Sequence, residues 1–233
     1  MSEAQLEKEK VMKSRHPQTS KTDSGFSAVE LIIVVALIAI LSAMSLPYIF
    51  NYKKAYKSED QALKVIDLMR ETGQLALTRR RPYRFEIDLT DNAVLIIDES
   101  HTVAGVVIPD TQIKKIPMEL PKDVRMDIIP AGVTKPNPPN YTDFAFAVDA
   151  KGHLVGSTTI TGHTVWVARF ASDGSVLNNA NIPINANIYI WPPISYGSTT
   201  PRNKAEVKAI TMFGGSGAIR YWKHDGTSFV ANQ

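Results

Sequence analysis

The sequence contains no cysteine. This absence excludes disulfide bonds, thiolate metal sites and cysteine nucleophiles, so any folded domain must be stabilised by core packing alone. A strong charge imbalance is also absent, because 26 basic residues are set against 23 acidic ones, for a net charge of +3. Such a diluted basic excess permits an acidic partner but does not argue for one.

Recognisable catalytic motifs are absent as well. The chain has no Gly-x-Ser-x-Gly elbow, no phosphate-binding Walker loop and no paired-carboxylate signature. His101, His153, His163 and His224 occur singly, and none has a second histidine at the i, i+4 spacing of a helical metal site. We interpret them as turn or surface residues, and we predict no enzyme activity, no cofactor and no metal.

One long hydrophobic run is present near the N-terminus. Between Glu30 and Phe50 only Ser42 and Ser45 are polar, and about 20 apolar residues are enough to cross a bilayer core as a helix. A secretory signal is cut after its apolar region at a small-residue site, and nothing of that kind follows Phe50. We therefore predict a retained membrane helix over residues 26–50.

The polar residues 1–25 precede this run. Their basic residues, together with proline, serine and threonine, are typical of a leader rather than of a packed element. Basic residues next to an apolar span orient its N-terminus toward the cytoplasm. We predict a cytoplasmic leader, a single-pass anchor in the inner membrane and a periplasmic head.

An amphipathic pattern follows over residues 51–81. Apolar residues recur at the i, i+3, i+4, i+7 spacing of a helix with one apolar face. We predict one helix from about Phe26 to Thr78, bent or loosened at Pro47. The residues expected to seat this helix on a sheet are Val65, Ile66, Met69, Ala76 and Leu77.

Short β-type runs separated by turn signals occupy residues 82–233. They predict antiparallel sheets, and the fold class is therefore α+β, with a long N-terminal helix and a β-sandwich-like head. Two proline-rich segments, Pro130–Tyr141 and Pro192–Asn203, are predicted to be loops. The predicted strands are Tyr83–Leu89, Ala93–Asp98, Val103–Ile108, Val124–Ile129, Phe144–Val148, Thr164–Phe170, Asn187–Trp191, Ala205–Met212 and Ala218–Lys223.

The residues Gly25-Phe26-Ser27-Ala28-Val29-Glu30 lie directly before the apolar run. A carboxylate at the edge of a membrane span is a functional candidate because it is costly to bury unpaired. Cleavage between Gly25 and Phe26 would create an α-amine about one helical turn from Glu30. The amine and the carboxylate could then neutralise each other, within one subunit or between neighbours.

This segment resembles the class III signal of type IV prepilins and type II secretion pseudopilins. The resemblance implies that prepilin peptidase cuts after Gly25 and methylates Phe26, that Glu30 acts in assembly, and that Pro47 loosens the filament helix. It also implies a pilin-like fold and a place in a periplasmic or extracellular filament. The implied partners are sister pilin or pseudopilin subunits, the inner-membrane assembly platform, and membrane lipid before assembly.

A second resemblance concerns the head. Gln61–Arg84 followed by Phe85–Asp88, and later Phe170–Ser175, are similar to minor pseudopilins of the GspH/FimT kind. The resemblance implies a minor pseudopilin of a type II secretion system. The alternative is a minor pilin of a type IV pilus, and the neighbouring genes would separate the two.

A nucleic-acid alternative rests on the C-terminal region. Some minor pilins of the FimT type bind DNA through a C-terminal glycine–arginine–x–arginine pattern, and the matching segment here is Gly217–Arg220, with alanine in place of the first arginine. In this interpretation Arg220 and Lys223 contact DNA, while Tyr221 and Trp222 stack on bases. Packing of the two aromatic residues within the head is the competing interpretation.

Overall fold

The computed structural model describes residues 26–137, 141, 146–148, 152–155, 158–178 and 180–231. The fold is α+β, with one N-terminal apolar helix and antiparallel sheets, as the sequence predicts. The chain divides into two compact units, Met1–Pro47 and Tyr48–Gln233. The predicted leader and Gly25 lie outside the described residues.

The helix α1 (Ala28–Arg79) confirms the predicted helix to within two residues at its N-terminal end and one at its C-terminal end. It ends where Arg80 adopts a left-handed conformation with φ of 54°, a common way for a helix to stop. Pro47 lies within the helix. The predicted bend at Pro47 stays a prediction.

The apolar stripe of α1 packs into the main hydrophobic core of the second unit. Val65, Met69 and Ala76 are fully buried and Ile66 is nearly so, which confirms four of the five predicted contact residues. The prediction was wrong for Leu77, which is 51% exposed. One residue beyond Ala76 is a rotation of about 100° around the helix axis, enough to turn the side chain away from the core.

In the described part of the chain fifteen strands follow the helix, and every pairing among them is antiparallel. The strands are β1 (Tyr83–Asp88), β2 (Ala93–Asp98), β3 (His101–Val103), β4 (Val106–Ile108), β5 (Thr111–Pro117), β6 (Arg125–Asp127), β7 (Ala147–Val148), β8 (His153–Val155), β9 (Thr158–Ile160), β10 (Thr164–Phe170), β11 (Val176–Leu177), β12 (Ala186–Trp191), β13 (Lys208–Phe213), β14 (Ala218–His224) and β15 (Phe229–Ala231).

Two sheets and two hairpins contain these strands. The first sheet has the order β11-β10-β1-β2-β5, with β7 also pairing with β10, and the second has the order β15-β14-β13-β12-β6. The hairpins are β3–β4 and β8–β9. The main core joins α1 to the facing side chains of both sheets, and a second cluster around Trp191 and Trp222 lies apart from it.

Two of the predicted strands differ from the structure in kind. The run Val103–Ile108 was predicted as one strand but forms the β3–β4 hairpin, because Ala104 and Gly105 both have positive φ, as a tight two-residue turn requires. The run Ala205–Met212 begins instead within a 3₁₀ turn, Lys204–Glu206, in which the Ala205 amide donates to the side-chain oxygen of Asn203.

Five strands were not predicted: β5, β8, β9, β11 and β15. Four of them have two or three residues, which is too few to show the alternating hydrophobic pattern of a strand. The fifth, β5, is an edge strand that carries Lys114 and Lys115 and ends at Pro117, features that protect a sheet edge and weaken the strand signal. The first two residues of the predicted strand Phe144–Val148 lie outside the described residues.

Candidate functional site

The apolar N-terminal half of α1 is exposed along its length. By length and composition, Ala28–Leu46 can cross a membrane, and none of it is buried. Its leucine, isoleucine and valine side chains lie at every angle around the helix, and Phe26 just before it is 82% exposed. A surface this apolar needs lipid or other apolar helices around it.

A reciprocal pair of hydrogen bonds caps the start of this helix. The Ser27 amide donates to Glu30 Oε2, and the Glu30 amide donates to Ser27 Oγ, each at 3.2 Å. This is a capping box, in which the first and fourth residues satisfy each other's amides. The carboxylate also lies at the positive end of the helix dipole, where a negative charge is favoured.

The sequence-predicted processing and assembly residues are thus placed as follows. Phe26 lies just before the exposed apolar helix, Glu30 lies in its first turn, and Pro47 lies inside the same helix. Gly25 is outside the described residues. Cleavage at Gly25, methylation of Phe26 and the assembly role of Glu30 stay predictions.

Ion pairs tie the second half of α1 to β5 and to the segment between β5 and β6. Lys57 Nζ lies 2.8 Å from Glu119 and 3.1 Å from Asp123, and hydrogen bonds to these two carboxylates raise the pKa of Lys57 above its usual range. Glu71 binds Lys114 at 2.7 Å. These pairs are partly exposed, so each contributes about 0–1 kcal/mol and fixes orientation more than stability.

The C-terminal cations predicted for nucleic acid already contact protein groups. Lys223 Nζ lies 2.5 Å from Glu59 Oε1, and the Arg220 guanidinium lies over the rings of Phe213 and Trp222. Trp222 is 6% exposed and donates to Thr211 Oγ1. Tyr221 is also buried. Packing is therefore the interpretation confirmed for the two aromatic residues.

The histidines correct the sequence interpretation. His153 and His224 are buried, so the prediction of turn or surface positions was wrong for both. His101 contacts Arg81 and, more distantly, Asp98 near the β3–β4 hairpin. His153 and His163 lie together, with ring centroids 5.7 Å apart and planes inclined by 78°.

The side chains on one face of β1 form a buried ionic row. Tyr83, Phe85 and Ile87 point into the main core, so Arg84, Glu86 and Asp88 share the opposite face by the two-residue period of a strand. All three charged residues are 5% exposed or less. The sequence concealed this row because an alternating strand is normally read as one buried and one solvated face.

Arg84 is held by three partners. Its Nε lies 2.5 Å from Glu86 Oε1, its Nη1 lies 3.1 Å from Asp110, and its Nη2 donates to the carbonyl of Gly152 at 3.0 Å. The last bond fixes the backbone just before β8. Gly152 has φ of 73°, and a Cβ there would lie 2.2 Å from the Ile160 carbonyl oxygen, so only glycine fits.

His153 is placed by this arrangement between two carboxylates. Its Nδ1 lies 3.1 Å from Glu86 Oε2, and its Nε2 lies 3.8 Å from Asp88 Oδ2. The same Asp88 oxygen lies 2.6 Å from His163 Nδ1, while Asp88 Oδ1 accepts the amides of Thr90 and Asp91. Asp88 therefore presents one oxygen to both histidines and is oriented by its other oxygen.

Comparison with known proteins does not assign this chain to a family, because no protein-family model, no curated protein and no solved structure matches it.

Proposed function

We propose that this chain is a structural subunit of a membrane-anchored filament, a minor pseudopilin of a type II secretion system. The main support for the proposal is the exposed apolar helix Ala28–Leu46. Phe26 lies just before this helix and Glu30 in its first turn, and the amphipathic part of α1 follows it in sequence. The fold class proposed is pilin-like, with a sandwich-like β head. Before assembly the apolar helix lies in the lipid of the inner membrane.

The same apolar surface serves two environments in this proposal. In the bilayer, lipid tails cover the side chains, and in the filament sister helices replace the lipid. Because both surroundings are apolar, moving the helix from lipid to the filament exposes no hydrophobic area to water. Close packing between helices then determines whether the filament is favoured over the bilayer. Glu30 is the exception, since its charge needs a cationic partner once the surroundings are dry.

The new α-amine on Phe26 is that partner. Prepilin peptidase is the partner enzyme that creates it by cutting after Gly25, and the assembly platform then receives a subunit whose first turn holds one positive and one negative group. Pairing between neighbouring subunits gives each addition to the filament a defined axial position. Without cleavage the amine does not exist, so an uncut chain stays in the membrane.

Mass spectrometry of the N-terminus of the full-length protein, purified from the inner membrane, tests the proposal. We expect a chain that begins at Phe26 and carries one methyl group on its amine. The matched control is Gly25→Val, in which a branched side chain at the cut should leave the leader attached. A wild-type chain that retains residues 1–25, or that is cut after Phe50, would contradict the proposal.

A further inference from the structure

We infer that Asp88, His153 and His163 form a binding site for a divalent transition-metal cation of the Zn²⁺ type. Each residue offers one ligand atom, and the three atoms lie within 4.8 Å of one another. Imidazole nitrogen and carboxylate oxygen are ligands that Zn²⁺ accepts, whereas Ca²⁺ and Mg²⁺ prefer oxygen alone. This site is independent of the proposed filament role.

The ligand spacings lie on either side of the value for a tetrahedral site. Zinc–ligand bonds of about 2.0–2.1 Å place two ligand atoms about 3.3 Å apart in that geometry. Asp88 Oδ2 lies 2.6 Å from His163 Nδ1 and 3.8 Å from His153 Nε2, one spacing below this value and one above it. Side-chain shifts that lengthen the first spacing and shorten the second would accommodate the cation.

The surroundings hold His153 in the tautomer that a metal needs. Glu86 Oε2, 3.1 Å from Nδ1, favours a proton on that nitrogen and so leaves a lone pair on Nε2, which lies 3.8 Å from Asp88 Oδ2. A carboxylate behind a metal-bound histidine is the usual supporting contact in zinc sites. Arg84 in turn holds Glu86 by its other oxygen, so the support is itself fixed.

A fourth position and an entry route are both present. Asp91 Oδ1 lies 4.0 Å from His163 Nδ1. A fourth ligand is therefore either this carboxylate or a water. The His163 side chain is 16% exposed, whereas those of Asp88 and His153 are fully buried, so the cation would enter past His163.

A bound cation would join three separate parts of the head. Asp88 ends β1, His163 directly precedes β10, and His153 begins β8 of the short β8–β9 hairpin. Of these, β8–β9 is a two-stranded hairpin outside both large sheets. The cation would therefore fix this hairpin to the first sheet and raise the melting temperature of the head.

Zinc titration of the full-length, tag-free protein in detergent tests the inference, after chelator treatment and removal of the chelator. We expect one Zn²⁺ bound per chain, with affinity reduced at least about 100-fold in His163→Ala and about 10–100-fold in Glu86→Gln. Co²⁺ substituted at the site should give the visible absorption of a four-coordinate ion. Neither Ca²⁺ nor Mg²⁺ should compete.

The controls separate this site from adventitious binding. His101→Ala removes a histidine elsewhere and should leave zinc affinity unchanged. Asp88→Asn keeps an oxygen acceptor for the Thr90 and Asp91 amides while removing the charge. If the Asp88 variant does not fold, the partly exposed His163→Ala variant decides the question. No zinc binding by the wild type, or equal binding by wild type and His163→Ala, would overturn the inference.

Discussion

The carboxylate of Glu30 is hydrogen-bonded to the amide of Ser27, the residue that follows the predicted new N-terminus. A carboxylate has two oxygens, so capping through Oε2 leaves capacity for the Phe26 amine of the same or a neighbouring subunit. Glu30 therefore combines a local role in starting the helix with the proposed role in assembly. Substitutions can separate the two roles.

Glu30→Gln keeps the capping box, because glutamine also bonds back to the first amide, but it removes the charge. We expect Glu30→Gln and Glu30→Ala both to fail to enter sheared filaments, since neither can neutralise the Phe26 amine. Ser27→Ala is the matched control, because it removes half of the cap and keeps the charge, and it should assemble nearly as well as the wild type. Normal assembly of Glu30→Gln would show that only the cap matters.

Substitutions of Met69 and Leu77 test which face of α1 packs against the sheets. Met69 is fully buried in the main core, whereas Leu77 is 51% exposed. Met69→Ala should lower the free energy of unfolding by about 2–5 kcal/mol through lost burial and a residual cavity, and Leu77→Ala should change it by about 0.5 kcal/mol or less. Urea unfolding of the detergent-solubilised protein, followed by tryptophan fluorescence, measures both, because all three tryptophans lie in the second unit.

Equal losses from the two substitutions would contradict the orientation of α1 on the sheets. The readout is suitable because Trp166 and Trp191 are almost completely buried, so unfolding moves both from an apolar environment to water.

Arg84 is the cation of the buried ionic row on β1. Arg84→Met fills a similar volume but leaves Glu86 and Asp110 without their cation, and breaking a buried ion pair costs about 3–5 kcal/mol. Arg70→Met is the control, because Arg70 is exposed on α1 and lies 4.0 Å from the carboxylate of Asp67. Its effect should stay within about 0.5 kcal/mol. The same urea unfolding experiment compares the two, and similar losses would refute the importance of the buried row.

His224 makes the stability of the head dependent on pH. Burial lowers the pKa of His224 below 6.5, and Lys204 and Lys208 act in the same direction, while Asp225 opposes them. Since the folded state then binds fewer protons than the unfolded state, the stabilising contribution is complete above about pH 6.5 and is lost as pH falls through the folded pKa. The melting temperature should therefore fall between about pH 7.5 and about pH 5.

His224→Asn tests the assignment, because the asparagine oxygen can replace Nδ1 as the acceptor of the Gly226 amide and does not titrate. In the presence of a chelator, which removes any metal contribution, the variant should lose less stability than the wild type over this pH range. The pKa values of the Asp91, Asp173 and Asp225 carboxyl groups lie below 3.8, so these groups do not contribute within it. An identical fall in melting temperature with decreasing pH for the two proteins would contradict the prediction.

The sequence alone determined the parts of this protein that depend on local pattern. The helix Ala28–Arg79 and the strands Ala93–Asp98 and Thr164–Phe170 follow from the periodicity of neighbouring residues, which acts over a few turns or pleats. Periodicity failed at Leu77, which it predicted to be buried. The width of the buried stripe on a helix depends on the surface that the helix packs against, and not on the helix sequence alone.

Only the tertiary structure decided which distant residues meet. Asp88 and His163 are 75 positions apart and become neighbours because β1 pairs with β10, and His153 joins them through a hairpin too short to be predicted. Strand pairing is a long-range event that no local pattern encodes. For the same reason the sequence could place Glu30 about one helical turn from Phe26, but could not reveal the buried row of Arg84, Glu86 and Asp88.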